Sequence, residues 1–254
     1  MNAGSLRRWL GALRLDEIRC CACKQPFSPP GERTDDDSAL PLCADCRPFL
    51  APYAGPRCPC CGFPYPRPAS GQDETAAPPC GTCLNARPPW RALAYHGLYK
   101  GELRDLILRF KFDGDLALAR LMGAWLENAA RCLPAPDALV AMPQHPAHLF
   151  RRGFNQAHEL ARALHAATLI PLRTDLLFRK CERAPQASLT AQQRPGNVRG
   201  VFGAGASVAG LRVWLIDDVM TTGSTLKEAT QTLLEAGAAE VCVLAVARTP
   251  RTTV

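Results

Sequence analysis

The chain has 254 residues, 47% hydrophobic and 21% charged, with 30 Lys/Arg against 23 Asp/Glu for a formal net charge of +7. That length suits one large domain or two smaller ones with an ordinary core. No apolar stretch approaches a membrane span, and the N-terminus lacks the continuous apolar core and small-residue cleavage site of a secretory signal. Met1 to Asp16 carries Leu6, Trp9, Leu10 and Leu13 among Arg7, Arg8 and Arg14, and reads as an amphipathic surface helix.

Cysteine dominates the next stretch. Ten of the 13 cysteines lie in the first 83 residues, leaving Cys132, Cys181 and Cys242 beyond. Eight of the ten form Cys-x-x-Cys pairs: Cys20/Cys23, Cys43/Cys46, Cys58/Cys61 and Cys80/Cys83. Nineteen residues separate the first two pairs and eighteen the last two, the spacing of two-knuckle zinc sites. Two intervening residues let a tight turn aim both thiolates at one ion, and four sulfurs close a tetrahedral Zn²⁺ shell with no open position. The spacing predicts two structural zinc ions, bound by the pairs in sequence order, with an interleaved pairing as the alternative. Cys21 and Cys60 are spare. The stretches between pairs are loops rich in Pro, Gly and acid, so this module depends on metal for stability.

Charge is divided unevenly. Residues 1–90 hold ten Lys/Arg against nine Asp/Glu, and residues 91–254 hold twenty against fourteen. Zinc thiolates make the first part more negative, which places any nucleic-acid affinity in the second part.

From residue 91 the pattern alternates. Glu102 to Phe112 and Leu116 to Leu133 have helical spacing, broken by Asp113-Gly114-Asp115; Ala138 to Met142 is a short buried strand. A polar loop follows, His145 to Gln156. Phe154 to Leu169 is a long helix, Leu211 to Ile216 and Val241 to Ala247 are apolar strands, and Leu226 to Ala236 is helix-like. Strands alternating with helices predict an α/β fold with a mostly parallel sheet and flanking helices. The long polar stretch 181–202 reads as a lid or a connector.

Residues 213–225 run Val-Trp-Leu-Ile-Asp-Asp-Val-Met-Thr-Thr-Gly-Ser-Thr. An apolar strand delivers Asp217 and Asp218 to its C-terminal end, where open α/β sheets bind ligands. Adjacent carboxylates accept hydrogen bonds from a vicinal diol. Thr221, Thr222, Gly223, Ser224 and Thr225 offer hydroxyls and backbone N–H groups at a helix N-terminus, which suits a phosphate. A diol beside a monophosphate is a ribose 5-phosphate. The run resembles the phosphoribosyl pyrophosphate (PRPP) signature of type I phosphoribosyltransferases. The resemblance implies a ribose clamp at Asp217 and Asp218 and a 5-phosphate loop at Thr221 to Thr225. Arg151 and Arg152 stand where that family holds pyrophosphate, and Mg²⁺ is expected with PRPP. Purine-salvage members often place an Asp base where this chain has Thr221. That departure argues against a 6-oxopurine acceptor and leaves the general base unassigned.

A closer resemblance spans Cys20 to Arg248. Two cysteine-pair ribbons precede Lys111-Phe112-Asp113-Gly114, Arg152-Gly153-Phe154-Asn155-Gln156, Pro185-Gln186, Asn197-Val198-Arg199-Gly200 and the Asp-Asp loop. This combination resembles the ComF family of competence proteins. It implies a double zinc ribbon over 1–90 and a phosphoribosyltransferase-like domain over 91–254. It also implies a cytoplasmic role in DNA uptake during natural transformation, with single-stranded DNA and other competence proteins as partners. Whether such a protein turns PRPP over or only senses it stays open on these residues.

Overall fold

The computed structural model describes residues 18–28, 41–66, 77–180 and 200–250. The N-terminal amphipathic stretch and most of the expected lid, 181–199, lie outside them. Two very short strands, β1 (Ile18–Arg19) and β2 (Pro26–Phe27), pair antiparallel around the first Cys-x-x-Cys turn. After the second cysteine pair a 3-10 turn, Pro48–Leu50, buries Leu50. Helix α1 (Gly81–Asn85) carries Cys83.

Strand β3 (Ala92–Leu98) opens the larger unit, followed by α2 (Gly101–Phe112), α3 (Ala117–Ala130) and β4 (Ala138–Ala141). Next come α4 (Pro146–Arg152), α5 (Gln156–Thr168), β5 (Leu177–Arg179) and β6 (Phe202–Ala204). The chain closes with β7 (Arg212–Met220), α6 (Ser224–Glu235) and β8 (Glu240–Arg248). Four strands form one sheet in the order β3-β8-β7-β4, every neighbour parallel. β5 and β6 make a separate antiparallel ribbon.

The helix spacing in the sequence matches these elements because the same residues are buried. Leu103, Leu106, Ile107 and Phe110 of α2 pack with Leu118, Leu121 and Met122 of α3 and Leu160 and Leu164 of α5. They cover one sheet face through Leu139, Trp214, Ile216 and Leu244. The other face, with Val140, Val213, Leu215 and Val243, is covered by Leu226, Ala229 and Leu233 of α6 and by Cys58, Cys61 and Cys83. Parallel strands buried on both faces read as continuous apolar runs, as β7 and β8 do.

Each edge strand of the sheet makes a backbone contact with a neighbouring segment. Tyr53 N–H donates to His96 O of β3 at 2.7 Å, while Leu139 of β4 pairs with the segment around Leu172. His96 stacks on Trp125 and holds Leu50 O at 2.9 Å, and its burial pulls it down to about 4. The compositional boundary near residue 90 is thus crossed by one apolar cluster. Replacing the buried Cys58 by Ser is expected to lower the stability of the sheet itself, by about 2 kcal/mol or more. Scanning calorimetry should show one lowered transition. A separate early transition, with the sheet melting as in the parent, would contradict the shared core.

Candidate functional site

β7 is longer than its apolar run. It continues through Asp217 and Asp218 to Met220 because Asp217, Val219 and Met220 remain registered against Ala245, Ala247 and Arg248 of β8. The carboxylates therefore lie on the strand and not beyond it. Alternation along a strand sends neighbouring side chains to opposite faces. Asp218 turns to the α2 side, where Lys111 Nζ meets its Oδ2 at 2.8 Å. Those two side chains are only 16% and 10% exposed. Asp217 Oδ1 accepts from the N–H of Asp218 at 2.9 Å. Burial, then the Asp218 charge, push the Asp217 carboxyl up to about 7 against that N–H and Lys111.

Beyond Met220 the loop turns through exposed Thr221 and Thr222 into Gly223 and α6. Gly223 has φ +77°, the left-handed region that favours glycine, and a Cβ there would push Met220 Cε aside from 2.5 Å. Thr222 Oγ1 and Ser224 Oγ lie 3.0 Å apart, and Ser224 N–H reaches Thr222 Oγ1 at 3.4 Å. The first turn of α6 carries no acidic residue, which leaves the positive end of its dipole available to an anion.

The neighbouring strand β4 ends beside this point. Ala141 registers with Ile216, and Met142 N–H donates to Ile216 O at 2.9 Å. Residues 145–156, expected to be loop, contain helix α4. His145 Nδ1 accepts from Ala147 N–H as a cap, Pro146 starts the helix, and Gly153 ends it with φ +78°. Asn155 then caps α5 and ties it to Met142 O at 3.1 Å.

Arg151 and Arg152 occupy the last turn of α4, their guanidinium carbons 5.9 and 5.1 Å from the Phe112 ring centre. Arg152 Nη1 also donates to Gln156 Oε1 at 2.9 Å. Gln144 bonds the same oxygen. Arg152 Nε and Gln156 Nε2 are buried donors without a protein acceptor, a costly state that a bound anion or water relieves.

Lys111 and Phe112 thus bridge the two halves: Lys111 pairs with Asp218, and Phe112 lies beside both arginines. Sequence reading placed Lys111 in a pattern but gave it no role. Its signal was a cation at the polar C-terminal end of an otherwise amphipathic helix. Gln156 likewise stands in a motif without a role, and Gln144, Trp90 and Arg248 carry no signal: single polar or aromatic residues with no fixed spacing give no pattern to read.

The eight paired cysteines gather in sequence order, Cys20/Cys23/Cys43/Cys46 and Cys58/Cys61/Cys80/Cys83, with the sulfurs of each group within 4.8 Å of one another. Cys23 and Cys43 sulfurs are 3.8 Å apart and Cys61 and Cys80 sulfurs 3.6 Å. A tetrahedral Zn–S bond of about 2.3 Å requires sulfurs about 3.8 Å apart. Burial raises the Cys20 and Cys58 thiols. The N–H groups of Cys43, Cys23 and Ala22 outweigh it at Cys20, and those of Cys80, Cys61 and Cys60 at Cys58, lowering the pair to about 7 and about 6. Both groups are compatible with structural zinc. Cys21 and Cys60 stand outside them.

Fold and site together define a phosphoribosyltransferase-type α/β protein with two attached cysteine knuckles. A family model described as phosphoribosyl transferase domain matches residues 149–254. DNA utilization protein YhgH of Salmonella typhi is 36% identical over 198 residues, covering 76% of this chain and 84% of that protein. Competence protein F of Haemophilus influenzae is 34% identical over 195 residues, 73% of this chain and 85% of that one. Competence protein ComFC of Streptococcus pneumoniae is 31% identical over 150 residues, 59% and 65% of the two chains. Among solved structures, glutamine PRPP amidotransferase from B. subtilis aligns over 50% of this chain and 26% of its own, with 24% identity and a TM-score of 0.36. The chain belongs to the ComF family of competence and DNA utilization proteins. Among the described residues no helix is long and apolar enough to cross a membrane.

A carboxyl whose pKa rises on folding weakens the fold as pH climbs from its unfolded value, about 3.9, through its folded one. The neutral variant Asp217→Asn escapes that penalty. Its stability advantage over the parent is expected to grow by about 1–2 kcal/mol between pH 5 and pH 8, a figure discounted for partial solvent access. Parallel denaturant titrations of both proteins measure it. A difference that stays constant with pH would show that Asp217 is not held protonated.

Proposed function

We propose that the protein binds PRPP at the C-terminal edge of its sheet. The observation that carries this reading is the continuous path from Asp217 and Asp218 on β7 into the glycine-turned hydroxyl loop at the α6 N-terminus. In this reading Asp217 and Asp218 accept the ribose hydroxyls, and Thr221 to Thr225 receive the 5-phosphate. Arg151 and Arg152, with the unpaired donors of Arg152 and Gln156, receive the diphosphate. Lys111 pairs with Asp218 until the ligand arrives. The hard oxygens of Asp217 and Asp218 fit Mg²⁺, which would supply charge neutralisation for such a ligand. The reaction open to this geometry is displacement of diphosphate at the anomeric carbon by a nucleophile, with the residues supplying position and charge. The same residues would serve a PRPP sensor that performs no turnover. The two cysteine groups hold structural zinc.

A second reading rests on a separate observation. Phe150 is 94% exposed and Phe112 57% exposed, next to Arg151 and Arg152. Arginine interleaved with open aromatic rings suits single-stranded nucleic acid. Together with the names of the relatives, this supports a cytoplasmic role in DNA uptake and use, with single-stranded DNA and other competence proteins as partners.

Elemental analysis is expected to find about two zinc ions per chain; a metal-free folded protein would remove the zinc assignment. Calorimetry with PRPP and Mg²⁺ is expected to lose roughly a few hundredfold in affinity for Asp217→Asn combined with Asp218→Asn. Thr222→Ala should lose less, since backbone N–H groups remain. Parent-like binding by the double variant would overturn the ribose clamp. Binding to a single-stranded oligonucleotide should weaken steeply with salt and fall when Arg151 and Arg152 are both changed to Ala. Unchanged affinity would move the DNA surface elsewhere.

A further inference from the structure

We propose that Arg248 is a positioning residue that makes the second cysteine knuckle a structural part of the phosphate loop. Arg248 ends β8 and is 1% exposed. Its Nη1 donates to Met220 O at 3.1 Å, to Thr221 O in a very short contact, and to Thr249 O at 3.1 Å. Its Nε donates to Cys61 O at 3.3 Å. Met220 and Thr221 lead into the hydroxyl loop, and Cys61 belongs to the second four-cysteine group. One planar guanidinium therefore ties the knuckle to the loop.

The consequence follows from peptide geometry. In a planar trans peptide the C=O and the next N–H point in opposite directions. Met220 O is held inward by the Thr249 N–H at 2.9 Å as well as by Arg248, while Thr221 O is held by Arg248. Carbonyls held this way turn the N–H groups of Thr221 and Thr222 away from Arg248, toward the exposed part of the loop. Successive outward N–H groups make an anion-binding concavity. A full positive charge also sits behind that concavity, shielded from water, where its attraction for a phosphate is least screened.

Trp90 makes a second tie. Its Nε1–H donates to Cys60 O at 2.7 Å, and its ring edge lies 3.5 Å from the Cβ position of Gly223. A shift of the second knuckle therefore reaches the loop through both Arg248 and Trp90. The first knuckle reaches the carboxylates only through α2 and Lys111, and among the described contacts it touches no residue of the hydroxyl loop 221–225. It meets α2 instead, where Arg109 donates to Ala22 O and Cys21 O, and Lys24 pairs with Asp115 at 2.7 Å.

This inference rests on the phosphate reading only for its ligand, so two measurements on the full chain separate them. The first is hydrogen exchange of a peptide confined to the loop, residues 220–226, without ligand, in the parent, Arg248→Met, Arg248→Lys, Cys61→Ser and Cys23→Ser. Exchange is expected to rise in Arg248→Met and Cys61→Ser and to stay at the parent level in Cys23→Ser. The second is calorimetry with PRPP and Mg²⁺. Arg248→Met should lose about tenfold or more in affinity, and Arg248→Lys, which keeps the charge but not the fork, should recover only part of it. Parent-like exchange in folded Arg248→Met would overturn the proposal, as would full recovery of exchange and affinity in Arg248→Lys. Should Cys61→Ser fail to fold, faster chelator removal of zinc from Arg248→Met tests the same tie, and parent-like removal counts against it. A parent that binds no PRPP refutes the phosphate reading, while the exchange result still decides the role of Arg248.

Discussion

Two carboxylates side by side on a largely dry strand set the terms for the surrounding structure. Asp217 and Asp218 lie where β7 is still paired with β8, so solvent cannot screen them freely. Lys111 answers one charge at 2.8 Å, while burial and repulsion raise the pKa of the other to about 7. Isolated buried charge is costly, and a half-compensated pair is a standing destabilisation. A sheet buried on both faces carries that cost. A ligand that brings hydroxyls, or a cation, to the pair relieves it, so binding and stability are linked at this point.

The cysteine knuckles extend the same logic. They lie on opposite faces: Cys21 and Cys46 pack with the α2 and α3 cluster, while Cys58, Cys61 and Cys83 pack with the α6 cluster. The first knuckle steadies the end of α2 that presents Lys111 and Phe112. The second stands behind the hydroxyl loop. The cysteine segment thus supports both sides of the proposed site, through side chains that donate to its backbone carbonyls. Such contacts fix geometry with little dependence on which side chains the knuckles carry.

The sequence was legible where one constraint acted at a time. Helices α2, α3 and α5 follow from the spacing of Leu106, Leu121 and Leu160, since packing alone selects those residues. The cysteine groups follow from spacing because a tetrahedral ion dictates it. Two places were misread. β7 runs four residues beyond Ile216 because register with β8 outweighs the low strand preference of Asp217 and Asp218. Helix α4 was hidden in a polar loop: its seven residues bury none of their own side chains, so no apolar period marks it, and only the His145-Pro146 start and Gly153 stop could have. The roles of Lys111 and Arg248 were not legible at all. Each depends on a contact between elements distant in the chain, 107 residues apart for Lys111 and Asp218 and 187 for Arg248 and Cys61.

The most direct test is a crystal structure of the protein grown with PRPP and Mg²⁺. The expected result is a ribose with its hydroxyls on Asp217 and Asp218, its 5-phosphate against Thr221 to Thr225, and its diphosphate directed to Arg151 and Arg152, with Lys111 displaced from Asp218. A PRPP molecule bound elsewhere, with the Lys111–Asp218 pair intact, would contradict the site assigned to β7 and α6.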